Sequence, residues 1–449
     1  MTNRRSTGRP PAEGSAGDPY RPKSGDDAYR VLRYDVDLDY RVSSNRLDAT
    51  VALSVLTRRA TSRLHVDLAG LRVVKVLVDG RPARYAHRGR KLVVTLPRQT
   101  PADTALTLSV RYSGSPAPLD GPWGEVGWEE LSDGVIVASQ PDGAPSWLAC
   151  NDHPGDKASY RFTVTTESLY TVVCNGSLVD RRAGASRTTW VYESPEPMAT
   201  YLATVQVGRY RLVDTAMGPV RQRAAVPPRL LAAFDHDFAP QAAMVRLFER
   251  VFGPYPFEAY TVVVTDEELE IPLEAQGLSI FGANHVDGRR GSERLVAHEL
   301  AHQWFGNSLT LGRWQDIWLH EGFACYAEWL WSQEKGRESA DALARKAWQR
   351  LSGLPQDLVI ADPGPVLMFD DRLYKRGALA VHALRLRMGD AAFGPMLRAW
   401  TTEHRHGTVT TAGFEAHAQA WTPEPLDALF TAWLRSPKLP RLPEPGRTP

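Results

Sequence analysis

The stretch from His298 to Glu321 reads HELAHQWFGNSLTLGRWQDIWLHE. His298 and His302 are four positions apart, so on a helix both imidazoles leave one face about a turn apart and can share a metal ion. A catalytic zinc ion takes three protein ligands and keeps a position for water, so a third ligand has to come from elsewhere. Glu321 is the candidate: it lies nineteen residues after His302, beyond a turn around Gly312, on a second helix expected over Ile317 to Trp331. Glu299, beside a ligand but outside the coordination sphere, is the candidate general base. Glu328 follows Glu321 by seven residues, two turns along the same face, where it can orient a ligand histidine. His320 adjoins Glu321, and neighbouring helix positions diverge by about 100°, so it is expected to face away from the metal, behind the ligands or at the surface. The cofactor this pattern predicts is one zinc ion.

The rest of the chain narrows the classes. Its 449 residues, 43% hydrophobic and 23% charged, suffice for two or three cored domains. Fifty-three basic against fifty-two acidic residues leave a net charge of +1, so no global field recruits nucleic acid or an anionic membrane. Cys150, Cys174 and Cys325 are odd in number and lack paired-ligand spacing, which predicts buried free thiols. Arg4 and Arg5 are followed by no apolar run, and no segment approaches the roughly 20 apolar residues of a membrane span, so a cytoplasmic location is expected. Neither an internal repeat nor a phosphate-binding glycine loop is present.

Residues 1–27, rich in Gly, Pro, Ser and charge, are expected to form a disordered tail. From Tyr34, Val36, Leu38, Tyr40 and Val42 onward the apolar period is two, and it returns at Leu47, Ala49, Val51, Leu53 and Val55. Further strand patterns run to Thr200–Tyr210, predicting an antiparallel β domain over residues 28–213. Helical spacing at 234–251, the break Gly253-Pro-Tyr-Pro-Phe257 and a buried strand at Tyr260–Val264 open a second, mainly helical domain over 214–435. A Pro-rich tail, 436–449, closes the chain.

Around the metal motif the sequence resembles the zinc aminopeptidases of the aminopeptidase N and leukotriene hydrolase type. The resemblance rests on Gln303-Trp304-Phe305-Gly306-Asn307, on Trp314 and Asp316, on Glu321-Gly322-Phe323-Ala324 and on Glu328-Trp329-Leu330-Trp331. It continues in Cys150-Asn151-Asp152-His153-Pro154, Lys157-Ala158, Asn175-Gly176 and Met198-Ala199-Thr200-Tyr201-Leu202. It departs at His320, where the family usually carries Asn. The fold it implies is α+β: an N-terminal β-sandwich or saddle domain, then a thermolysin-like catalytic domain. Larger members append a helical-repeat domain, and a short form without it is expected here.

The resemblance also implies roles. The family's Gly-Ala-Met-Glu-Asn-x-Gly-Leu block is matched here at Glu274, Gly277 and Leu278, with Ile271-Pro272 in place of Gly-Ala and Ala275 in place of Asn. Glu274 thereby becomes the group that binds a substrate's free α-amine, Gln140 its partner from the β domain, and Gly277 a substrate-binding position. Tyr374, in Leu373-Tyr374-Lys375-Arg376-Gly377-Ala378-Leu379, is the implied oxyanion donor, and Asp316 is placed behind the ligands. The apolar run Leu278–Phe281 suggests a sheet edge on which a peptide adds as a strand. The expected partners are peptides with a free N-terminus, with neither nucleic acid nor membrane; the oligomeric state stays open. The rivals are a thermolysin-type endopeptidase, a zinc-stabilised binding protein without turnover and, less favoured, epoxide hydrolysis.

Overall fold

The computed structural model describes residues 14–215 and 220–443. Period-two patterning becomes an eight-stranded sheet in the order Ser177–Ala183, Arg187–Met198, Ala158–Glu167, Tyr29–Arg41, Arg46–Thr57, Ala105–Gly114, Arg72–Val78, Arg81–Pro82. Tyr34, Val36, Leu38 and Tyr40 all face inward and are buried, while their odd-numbered neighbours are open or half-open, as a sheet with one dry face requires. The domain is antiparallel with an exception, because Tyr29–Arg41 runs parallel to Ala158–Glu167 with Val36 opposite Phe162. A five-stranded sheet, from Thr171–Cys174 to Leu119–Gly121, and a three-stranded one complete this half. Trp128 and Trp147 are fully buried, and Tyr34 stacks on Tyr160 with centroids 4.8 Å apart. An aromatic pair of this kind adds about 0.5–1.5 kcal/mol beyond its buried area.

The second half is built on a mixed sheet ordered Arg211–Thr215, Arg221–Val226, Ala259–Val264, Leu278–Phe281, Leu273–Ala275. Its middle pairings are parallel; Leu273–Ala275 pairs antiparallel with Leu278–Phe281 and forms the edge. The expected domain border at residue 213 falls inside Arg211–Thr215, which already belongs to this sheet. Helices then follow. Three of them position the site: the motif helix Glu293–Ala301, the ligand helix Trp318–Glu334 and the tyrosine helix Asp371–Met388. The latter two cross where a Cβ on Gly322 would lie 2.8 Å from Gly377 Cα, and one on Gly377 2.8 Å from Gly322 Cα. Two glycines thus permit backbone contact that no larger pair allows.

The expected tails need correction where they are described. Residues 14–27 are tied to the fold: Asp18 Oδ2 accepts from Trp314 N at 2.9 Å, the Tyr20 hydroxyl bonds Asp362 and accepts from Gly364 N, and Arg21 lies 4.6 Å over Trp123. Polar anchors, not an apolar stripe, hold this segment, so composition read it as unfoldable. Residues 1–13 lie outside the described residues. At the other end, buried Arg376 donates to the carbonyls of Trp433 and Pro437, and Trp348 Nε1 donates to Pro440 O. Residues 444–449 again lie outside the description. All three cysteines are free and buried, as expected. Among the described residues, no helix is long and apolar enough to cross a membrane.

Candidate active site

The motif helix ends at Ala301, with His302 as its C-cap residue. Its first residue, Glu293, is buried and accepts from Trp331 Nε1 at 2.7 Å and from Arg337 at 3.0 Å, which locks this helix to the ligand helix. At the other end Trp304 Nε1 donates to Gly253 O, and Phe305 stacks on Phe323 at 4.4 Å. Both histidines are therefore held on a short element fixed at each end.

Their ring nitrogens are committed asymmetrically. His298 Nδ1 lies 2.7 Å from Glu328 Oε1, and His302 Nδ1 lies 3.0 Å from the Phe305 carbonyl. Each acceptor fixes the proton on Nδ1 and leaves the Nε2 lone pair unspent. Both Nε2 atoms are 3.4 Å from the same oxygen, Glu321 Oε2. Two imidazole nitrogens and a carboxylate oxygen converging in this way are the donor set a zinc ion takes, so the residues present fit that ion. Burial alone would raise the Glu321 carboxyl, but the two imidazoles outweigh it and hold it ionised, well below the usual carboxylate range. Burial lowers the imidazoles in turn; the neighbouring carboxylates prevail and raise His298 to about 9 and His302 to about 10. The pocket is set to hold positive charge.

Glu299 is 4% exposed, and its Oε2 has no hydrogen-bond partner among the described residues. Burial raises its carboxyl against the pull of His298 and His302, which leaves it proton-accepting near neutrality. Glu274, Glu299 and His302 each offer a ligand atom within 4.8 Å of the others. Gln140, from the β domain, donates through Nε2 to Glu274 Oε1 at 2.7 Å. The Tyr374 ring stacks 6.1 Å from that of His298, and burial raises its hydroxyl well above the ordinary value, so it stays a donor.

Three expectations are modified, and one open choice is narrowed. Gly277 is not open to a substrate, since its N–H donates to Gln303 Oε1 at 2.8 Å and its carbonyl accepts from Thr261 N. What it contributes is a φ of +70° in the turn between the edge strand and Leu278–Phe281. The second concerns that pairing: Leu278–Phe281 is interior, between Ala259–Val264 and Leu273–Ala275, and Leu273–Ala275 is the edge. Asp316 does not back the ligands: its Oδ1 accepts from Thr411 N at 3.1 Å and from the Thr411 hydroxyl, joining two chain segments. His320, expected behind the ligands or at the surface, is buried, and its Nε2 accepts from Leu311 N at 2.9 Å. Burial lowers it to about 3, so it is neutral.

Two roles were not legible beforehand. Gln303 Nε2 donates to Ala275 O at 3.2 Å and Asn307 Nδ2 donates to it at 2.9 Å, so both amides pin the strand that carries Glu274 to the turn that follows His302. Lys157, from the β domain, donates to the carbonyls of Asn307, Ser308 and Gly407 beneath that turn. Nothing in the spacing of these residues announces backbone partners so distant in sequence.

Residues 31–202 match the model for the Peptidase M1 N-terminal domain, and residues 238–433 match that for the Peptidase family M1 domain. The M1 zinc metallopeptidase of Deinococcus radiodurans is 32% identical, with a TM-score of 0.88 over 96% of this chain and 100% of that one. The chain belongs to the M1 peptidase family. Among curated M1 relatives, leucyl aminopeptidase of Saccharolobus solfataricus is 24% identical over 391 residues, 81% of this chain and 48% of its own, and Aminopeptidase M1 of Arabidopsis thaliana is 25% identical over 340 residues, 69% and 38%. The chain thus spans less than half the length of these curated M1 relatives. The structure of yeast LTA4 hydrolase shares the M1 fold at 21% identity, with a TM-score of 0.80.

Proposed function

We propose that the protein is a zinc aminopeptidase that removes the N-terminal residue from peptides, with His298, His302 and Glu321 holding one zinc ion. The observation that carries this reading is the Gln140–Glu274 pair, with Glu274 within 4.8 Å of Glu299 and His302. A carboxylate beside the hydrolytic centre attracts a peptide's terminal ammonium, and a peptide held by that ammonium presents its first bond for cleavage. An internal-cleaving peptidase has no use for that charge. The M1 zinc metallopeptidase of Deinococcus radiodurans has been seen, as a variant, bound to a Tyr-Ser-Ala substrate.

Zinc, when bound, supplies Lewis acidity and brings the pKa of a water ligand to about 7. The chain's own residues do the remainder. Glu274 and Gln140 hold the α-ammonium. Glu299 takes a proton from the attacking water and delivers it to the leaving amine, a task that suits a buried carboxyl with one unpartnered oxygen. The Tyr374 hydroxyl donates to the oxygen on which charge develops, and one such donor is worth about 3 kcal/mol. Glu328 orients His298 by its 2.7 Å contact with Nδ1. The unpaired outer side of Leu273–Ala275 offers main-chain groups along which the substrate backbone extends.

A matched pair of short peptides, one with a free amine and one N-acetylated, tests the reading. A strong demand for the free amine is the expected result; equal cleavage of both would overturn it.

A further inference from the structure

We propose that Glu403, His404 and His417 form a second, peripheral site for a divalent transition ion of the zinc, copper and nickel class. The three side chains each present a ligand atom within 4.8 Å of the other two, on the two helices that flank the strand Thr408–Val409 in sequence. They come from the end of helix Asp390–Glu403, its C-cap residue and the last turn of helix Thr411–Gln419.

Two observations distinguish this cluster from a chance grouping on a surface. His417 Nε2 lies 2.9 Å from the Met396 carbonyl, so that nitrogen carries the proton and Nδ1 presents its lone pair, 3.6 Å from Glu403 Oε2. The imidazole that does so is only 9% exposed. Both rings also pack on buried Trp400, at 4.2 Å for His404 and 5.2 Å for His417, which limits their rotation and supplies an apolar floor. Ligands of a tetrahedral zinc ion lie about 3.4 Å apart, so the three must draw together slightly. The Glu403 side chain, 61% exposed, has the freedom to close its 3.6 Å separation from His417 Nδ1.

Two imidazoles and one carboxylate select borderline transition ions over calcium or magnesium, which take oxygen ligands. An ion here would clamp the ends of two helices around Thr408–Val409. That strand pairs with Thr310–Leu311, directly after the motif turn, and Val409 O accepts from Gly312 N at 2.9 Å. The clamp would stiffen the support beneath the histidine turn without supplying any reacting group.

The test is zinc titration of the full chain after stripping by a chelator, with stoichiometry read by calorimetry and by elemental analysis. Wild type is expected to bind two ions per chain, the second more weakly. Glu403→Gln, an exposed change that does not touch the packing, and His417→Gln are each expected to weaken the second ion by more than about tenfold and leave the first intact. A single ion in wild type, or a second whose affinity neither variant alters, would overturn the proposal. If His417→Gln fails to fold, Glu403→Gln alone decides.

Discussion

Gln140 and Glu274, 134 residues apart and on different domains, share a 2.7 Å hydrogen bond beside Glu299 and His302. The donor holds the carboxylate in position without neutralising it, which an ammonium binding site needs. Hydrogen bonds to charged groups contribute about 1.5–3 kcal/mol, so Glu274→Gln should lower kcat/KM for free-amine peptides by roughly 10–100-fold. Gln140→Ala should cost less, about tenfold, because the charge remains. The same assays on N-acetylated peptides should show little change, and equal losses on both substrates would remove Glu274 from amine recognition.

Glu328 contacts His298 Nδ1 and also accepts from Arg294 at 2.9 Å. Glu328→Gln loses the charge that fixes the imidazole's tautomer and basicity. Zinc affinity, measured by competition with a chelator, is expected to fall by roughly 10–100-fold with the fold intact. Unchanged affinity would reduce Glu328 to a partner of Arg294.

At the helix crossing, Gly377→Ala sets a methyl 2.8 Å from Gly322 Cα, closer than real contacts allow. The ligand and tyrosine helices must part, at a cost of about 1–3 kcal/mol. Thermal melting should register that loss. Since Tyr374 precedes the crossing by one turn while Glu321 adjoins it, kcat should drop more than KM rises. A variant as stable and active as wild type would show that the crossing has slack.

The metal motif was legible because its chemistry is local. His298, His302 and Glu299 sit within one turn, and helical geometry alone puts the two ligands together. Glu328 was legible for the same reason. The β strands were readable from one-sided burial, as at Tyr34 to Tyr40. What spacing does not encode is the partner of a side-chain amide: Gln303 and Asn307 reach Ala275 O, and Gly277 N–H is consumed by Gln303, through contacts that exist only once the turn has folded against the sheet. Asp316 was misplaced for a related reason, since its partner Thr411 lies 95 residues on. The N-terminal segment misled because Asp18 and Tyr20 anchor it by polar contacts that hydropathy does not score.

Asp152 gives the stability a pH dependence that a variant can isolate. The carboxylate is 4% exposed, its Oδ1 accepts from the Thr200 hydroxyl at 2.7 Å, and its Oδ2 has no hydrogen-bond partner among the described residues. Burial, with Asp67 and Asp142 nearby, raises it from 3.8 to about 7. Between those values the folded chain keeps a proton that the unfolded chain has released. The stabilisation is therefore complete below the unfolded pKa and is lost as pH rises through about 7, at no more than about 1.4 kcal/mol per pH unit. Asp152→Asn carries no charge at any pH and keeps an oxygen for Thr200. Its melting temperature relative to wild type should climb steadily in the variant's favour between pH 5 and pH 7.5. Asp156, raised by burial to about 6, acts in the same direction in both proteins and cancels from the difference. Parallel stability curves for the two proteins across that range would mean that Asp152 is solvated as freely as an exposed aspartate.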